Sequence, residues 1–334
     1  MSGDQDEVRL QGRGILVTGG AGFIASHLVD RLIAEEPSTI VVVDNMFLGK
    51  EENLQLAFQA FPALKLYRED VSDYGAMRQI LAAEQIEVVF DLAVIPLPTS
   101  LERPRWTVDI NVGMATCMCE LLREGFFETL VHFSSSEVYG TAQYIPMDER
   151  HPIVPLTPYA ASKAAADQVV LSYHHTFDID AAIIRPFNTF GPRQNDRAYA
   201  GVIPSVVERV LQGQDAIVYG DGEQSRDFNY VADVAEAAVR VYKNPAARGQ
   251  AVNVASGTET SINSLVRQML QLLESDADIV HVAPRSADVR RHVGSSTLLR
   301  KLTGEWTTRT LTDGLRETLA WYCTALPRQQ ASLG

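Results

Sequence analysis

Apolar residues in this chain fall into two rhythms that alternate through its first half. Short, nearly unbroken apolar runs read as strands buried on both faces: GILVTG (14–19), IVVVD (40–44), LKLYRED (64–70), EVVFDLA (87–93), ETLVHFS (128–134) and AAIIRPF (181–187). Between most of them, apolar positions recur at helical spacing over 22–36, 73–84, 104–124 and 158–177. Strand-then-helix repetition predicts an α/β fold of the Rossmann type, a doubly wound parallel sheet covered on both faces. After Pro186 the rhythm loosens into the loops GPRQNDRAYAG and YGDGEQSRDF, with helical patterns at 204–213, 232–243, 261–274 and 312–323. The expected organisation is a sheet domain over 12–185, to which a segment near 225–250 returns. A smaller C-terminal lobe takes 186–224 and 251–325, with flexible tails at 1–11 and 326–334. The cleft between domain and lobe is the expected site.

Composition narrows the partners. The formal net charge is −13, which argues against a nucleic-acid surface or an anionic membrane. The N-terminus MSGDQDEVRLQ is acidic and polar, unlike a signal peptide, and no apolar run reaches transmembrane length. Of the three cysteines, Cys117 and Cys119 form a close pair in a predicted helix with no second pair to complete a metal site. They and Cys323 read as buried or reduced thiols, so no metal is expected and a cytoplasmic location is.

The first strand-to-helix turn, VTGGAGFIASHL (17–28), carries the first chemistry. Gly19 and Gly22 permit a tight turn and close backbone approach to a pyrophosphate resting on the helix N-terminus. The third glycine position holds Ala25, whose methyl still fits helix–strand packing. Asp44 ends the second strand, 22 residues beyond Gly22. A carboxylate there accepts from a ribose 2′-hydroxyl and repels a 2′-phosphate, which favours NAD over NADP. Asp70, ending the third strand, either reaches an adenine amino group or caps the next helix.

Two further stretches carry reactive groups. YAASK (159–163) sets Tyr159 and Lys163 four residues apart on one helix face. Bringing a tyrosine from about 10 to near 7 requires ~4 kcal/mol of differential stabilisation, within reach of two cations in a dry cleft. FSSSEVYG (133–140) follows the fifth strand and puts Glu137 behind three serines where a crevice should open. That carboxylate either removes a substrate proton or caps a local turn.

Taken together, TGGAGFIA, Asp44, LAVIPLPTS, SSSEVYG, YAASK, RPFNTFGPRQ and GDGEQSRDFNYVAD resemble the extended short-chain dehydrogenase/reductases that modify nucleotide sugars. The resemblance runs over roughly residues 13 to 323. It implies a retained NAD, reduced and re-oxidised within one turnover. The cofactor would be held by Gly19, Gly22, Phe23, Ile24, Asp44, Asn45, Asp70, Val71, Leu92, Ala93, Tyr159, Lys163 and Pro186. The nucleotide-diphosphate sugar would meet Pro96, Asn188, Val202, Arg193, Arg226 and Arg290. Tyr159 would take the C4 hydroxyl proton, Lys163 would tune it, and Ser135 would hold the reacting oxygen. Glu137 would then be the base at C5, with Ser136 positioning the C6 group, as in a 4,6-dehydratase. UDP-glucuronate decarboxylases share the serine–glutamate run, and a 4-epimerase needs no such carboxylate. All three reactions stay open on these residues. The resemblance also implies a homodimer, paired through the helices near 104–124 and 158–177 into a four-helix bundle.

Overall fold

The computed structural model describes residues 8–195, 201–284 and 289–325. Its centre is a parallel sheet of seven strands. Six come from the apolar runs: β1 (Gly14–Thr18), β2 (Thr39–Val43), β3 (Leu64–Tyr67), β4 (Val88–Asp91), β5 (Thr129–Phe133) and β6 (Ala181–Pro186). The seventh, Ala251–Val254, lies outside β6, giving the spatial order 251–254, β6, β5, β4, β1, β2, β3. Every residue of β1, β5 and β6 is buried, as continuous apolar runs require when helices cover both faces. The chain runs outward one way from β1 and then outward the other way from β4. The crevice beyond the carboxyl ends of β1 and β4 is therefore where such a sheet takes its ligands.

One face is covered by α1 (Phe23–Ile33) and the helix Val231–Lys243, around Ile15, Val17, Leu28, Phe90 and Tyr242. The other lies under helices Tyr74–Ala83, Pro104–Arg123 and Pro158–Phe177, around Leu16, Val89, Met118, Leu121 and Ile183. The last of these starts where its sequence says it should. Thr157 accepts from the Ala160 amide at 3.1 Å, Pro158 opens the first turn, and the helix ends at Asp178 in the left-handed region.

The smaller lobe packs helices Val202–Leu211, Ile262–Leu272 and Leu311–Ala325 around Phe190, Phe228 and Tyr230. Three features fall outside the sequence expectation. The strand Ala251–Val254 extends the return to the sheet past residue 250, and helix Thr297–Thr303 sends Leu299 into the same core. Leu10, placed in a tail by its position, is fully buried, and the Val8 amide donates to the Lys243 carbonyl. An apolar side chain with a core to enter overrides the polarity of its neighbours. The segments 1–7 and 326–334 lie outside the described residues.

Candidate active site

A cleft of about 420 Å³ opens over the carboxyl ends of β1, β4 and β5. Its lining brings together Gly19, Gly22, Phe23, Ile24, Asp44, Asn45, Val71, Leu92, Ala93, Pro96, Ser135, Ser136, Glu137, Tyr159, Lys163, Pro186, Asn188 and Arg193. Residues more than 170 positions apart thus share one wall system. Four of the expected contacts stand outside that lining. Asp70 accepts from the Ser72 amide and hydroxyl at 2.8 and 2.6 Å and from Asn45 at 3.2 Å. Val202 begins a lobe helix. Arg226 donates to the carbonyls of Ser225 and Val289, and Arg290 pairs with Asp221 at 2.8 Å on the surface.

The β1–α1 turn is built for a phosphate. Gly19 has φ +63°, and a Cβ there would stand 2.9 Å from the Ala93 Cα, so only glycine fits. α1 has no side-chain cap on Gly22 and no acidic residue in its first turn, which leaves its amide groups for an anion. Asp44 is buried, and its two oxygens accept from the Ala21 and Met46 amides at 3.0 and 2.8 Å. Burial pushes the Asp44 carboxyl above its ordinary range, while those two amides pull it down. These residues fit the diphosphate and adenosine ribose of a dinucleotide.

At the other end, Ser135 precedes a short turn, Ser136–Tyr139, that carries Glu137 into the cleft. The Ser135 hydroxyl accepts from the Glu137 amide at 3.2 Å. Burial pushes the half-buried Tyr159 phenol up to about 12. A hydrogen bond with Ser135 opposes this, and the charges of Glu137 and Asp167 push further up. Burial likewise lowers Lys163 from the ordinary lysine value, against the upward pull of Asp91 and Asp167. Asn111 fixes the next loop, accepting from the Ile95 amide at 2.8 Å and donating to its carbonyl at 3.1 Å. Its amide also donates to Ser162 at 2.9 Å, which ties that loop to the Tyr159 helix. The Asn188 amide nitrogen and the Gln194 amide oxygen are buried at the cleft with no hydrogen-bond partner among the described residues.

Sequence reading passed over several residues that the fold brings here. Asn53 donates to the Ala21 carbonyl at 2.8 Å and steadies the turn. Asp91 and His132 are polar residues inside apolar strands, an anomaly visible in EVVFDLA and ETLVHF that carried no assignment. They meet at 2.7 Å. Cys117 and Cys119 are buried, as expected; burial pushes both thiols up, Cys117 to about 12.

Comparison with known proteins agrees with this geometry. Residues 15–255 match the NAD dependent epimerase/dehydratase family, and the chain belongs to it. It is 34% identical over 309 residues to a UDP-glucose 4-epimerase of Mycolicibacterium smegmatis, covering 92% of this chain and 97% of that one. It is 30% identical over 321 residues to a UDP-N-acetyl-alpha-D-glucosaminuronate decarboxylase of Bacillus cytotoxicus, with the same coverage. The crystal structure of a dTDP-glucose 4,6-dehydratase from Streptomyces venezuelae, with NAD bound, superposes with a TM-score of 0.87. That pair shares 28% identity over 93% of this chain and 97% of the other. The cofactor is NAD, which supplies reversible hydride chemistry at a sugar carbon. The enzyme works on nucleotide sugars, in a family that spans epimerases, dehydratases and decarboxylases. No helix among the described residues is long and apolar enough to cross a membrane.

Proposed function

We propose that this enzyme is a nucleotide-sugar 4,6-dehydratase in which Tyr159 is the base at C4 and Glu137 the base at C5. The observation that carries the reading is the position of Glu137. Its charge raises the pKa of Tyr159, against the phenolate that deprotonating a hydroxyl needs. A carboxylate in the cleft lining, two residues beyond Ser135, supports a second base beside Tyr159. Tyr159 accepts the C4 hydroxyl proton while Ser135 holds the oxygen, and Lys163 stabilises the phenolate. Once C4 is a ketone its neighbour C5 is acidified, and a base in reach is worth about 10²–10⁴ in rate. Glu137 removes that proton, the C6 hydroxyl leaves as water with a proton that balances the one Tyr159 took from C4, and the Glu137 proton and the hydride return to C5 and C6. Ser136 holds the departing hydroxyl in this reading, supported by its burial in the cleft lining.

Charge argues against a uronate substrate. Among the described residues the cations lining the cleft are Lys50, Lys163 and Arg193. Lys163 lies in the field of Asp91 and Asp167, and Arg193 pairs with Asp30 at 2.7 Å. The Lys50 amide donates to the Ala21 carbonyl, at the cofactor end. A C6 carboxylate would meet the like charge of Glu137 in this cleft. An epimerase would leave Glu137 with no step to perform. A homodimer belongs to the same reading, supported by the exposed stripe Ala161, Ala165, Gln168 and Ser172 on the Tyr159 helix.

The test is to incubate the purified protein with UDP-, dTDP- and GDP-linked hexoses and with UDP-glucuronate, following mass. Loss of water from a hexose is expected. Loss of carbon dioxide from the glucuronate, or a new isomer of unchanged mass, would replace the dehydratase reading with a decarboxylase or an epimerase.

A further inference from the structure

Thr18, Asp91 and His132 form one rung across three neighbouring strands. Thr18 pairs in register with Asp91 between β1 and β4, and Asp91 with His132 between β4 and β5. All three are buried. The Thr18 hydroxyl donates to Asp91 Oδ1 at 2.7 Å, and His132 Nδ1 lies 2.7 Å from Oδ2. The same Thr18 oxygen accepts the amides of Leu92 and Ala93 at 2.9 and 3.0 Å, and these two residues line the cofactor cleft. A carboxylate is thus fixed by both oxygens just behind the cleft wall. It lies on the sheet face that the helix carrying Lys163 covers, and Lys163 is itself 4% exposed.

We propose that Asp91 is a positioning residue: clamped by Thr18 and His132, it supplies the buried negative charge that keeps the Lys163 ammonium charged in the cleft. The assignment rests on reading Tyr159 and Lys163 as the proton-transfer pair. A buried ammonium needs a counter-charge or it neutralises. The charged and titratable groups facing this region come from each packed element. From β5 there is His132; from the helix Pro104–Arg123 come Cys117 and Cys119, whose thiols the Asp91 charge raises further after burial. On the Lys163 helix itself, Asp167 also acts on Lys163, but it is bound to Arg185 at 2.8 Å, a cation that offsets its charge. Asp91 is held by the His132 ring and the Thr18 hydroxyl, and of the two carboxylates it acts on Lys163 the more strongly. Burial works to raise Asp91, and His132, Thr18 and Lys163 together bring it below the ordinary carboxylate range. It is therefore ionised wherever the protein is folded near neutrality.

The chain has only five lysines, Lys50, Lys65, Lys163, Lys243 and Lys301, so each is resolvable by NMR after labelling lysine with carbon-13 at Cε. The Lys163 signal is assigned by Lys163→Arg and titrated in the wild-type protein and in Asp91→Asn, with NAD content and melting temperature measured alongside. Asparagine keeps the shape and an acceptor for Thr18. The Lys163 midpoint should fall by about one pH unit or more in Asp91→Asn, and the alkaline limb of turnover should move down with it. His132→Gln, which keeps a donor to Asp91, should leave the Lys163 midpoint in place. An unchanged Lys163 titration in Asp91→Asn, with or without a lower melting temperature, overturns the proposal. If Asp91→Asn does not fold, a Lys163 midpoint in His132→Gln that falls with loss of the imidazole overturns it as well. Absence of turnover in the wild-type protein would instead count against the catalytic reading, since the Lys163 titration needs no substrate.

Discussion

The two ends of the cleft are built differently. At the cofactor end, the first turn is braced within the protein, with only the first α1 amides left uncapped by a side chain: Asp44 is held by two amides, the Ala21 carbonyl by Asn53 and the Lys50 amide, and the Gly19 amide by the Val43 carbonyl. At the end that carries the serine–glutamate run, the Asn188 amide nitrogen, the Gln194 amide oxygen and the Ser134 hydroxyl are buried with no hydrogen-bond partner among the described residues. A buried polar group left unmatched costs roughly 1–3 kcal/mol, and these three, which lie at the cleft, offer polar atoms to a ligand. The first end is preformed, and the second is completed by what binds there.

The sharpest way to break that contrast is to damage the preformed end. Gly19→Ala sets a Cβ at positive φ and within 3.0 Å of the Ala93 backbone. Strain of this kind costs of order 1–3 kcal/mol, so NAD affinity should fall at least about tenfold and the melting temperature should drop. Calorimetry with NAD checks it; unchanged affinity would mean the turn is not the phosphate site.

A second test uses pH to load the sugar end. His292 donates Nε2 to the Ser136 carbonyl at 3.1 Å and packs on Phe187. Burial first, then the charge of Arg226, lowers its pKa from the ordinary 6.5 to about 4. The unfolded chain therefore binds this proton more readily between those values. The stability it contributes is full above pH 6.5 and is lost as pH falls toward 4, on the order of 3 kcal/mol in all. Melting temperature should decline through that window, and His292→Gln should flatten the decline. An equally steep decline in the variant would assign it to other groups.

The smallest effect is expected at Asn188. Because its amide nitrogen has no hydrogen-bond partner among the described residues, Asn188→Ala should leave NAD affinity unchanged and the melting temperature unchanged or higher, while raising KM about fivefold, the loss of one ordinary hydrogen bond. A destabilised variant would show that Asn188 holds the lobe rather than the sugar.

The same contrast governs what the sequence could reveal. The turn at Gly19 and the pair Tyr159–Lys163 are local, each lying within one turn or one helix, so spacing alone places their groups together. The strand Ala251–Val254 was missed because four residues with a central Asn253 carry too little periodicity to stand out; pairing with β6 makes it a strand. Arg226 and Arg290 read as ligand contacts from their motifs; in the fold Arg226 donates to the Ser225 and Val289 carbonyls and Arg290 to Asp221, both outside the cleft lining. The rung Thr18–Asp91–His132 depends on the register of three strands, and no spacing along the chain contains that register.

The central claim is that Glu137 acts after Tyr159, and rapid mixing of Glu137→Gln with the accepted sugar nucleotide tests it most directly. The variant should oxidise C4 and stall, so that bound reduced cofactor accumulates at about 340 nm while release of dehydrated product falls about 10²–10⁴-fold. Tyr159→Phe should give no such absorbance. Turnover by Glu137→Gln at the wild-type rate, with no accumulation, would contradict the account.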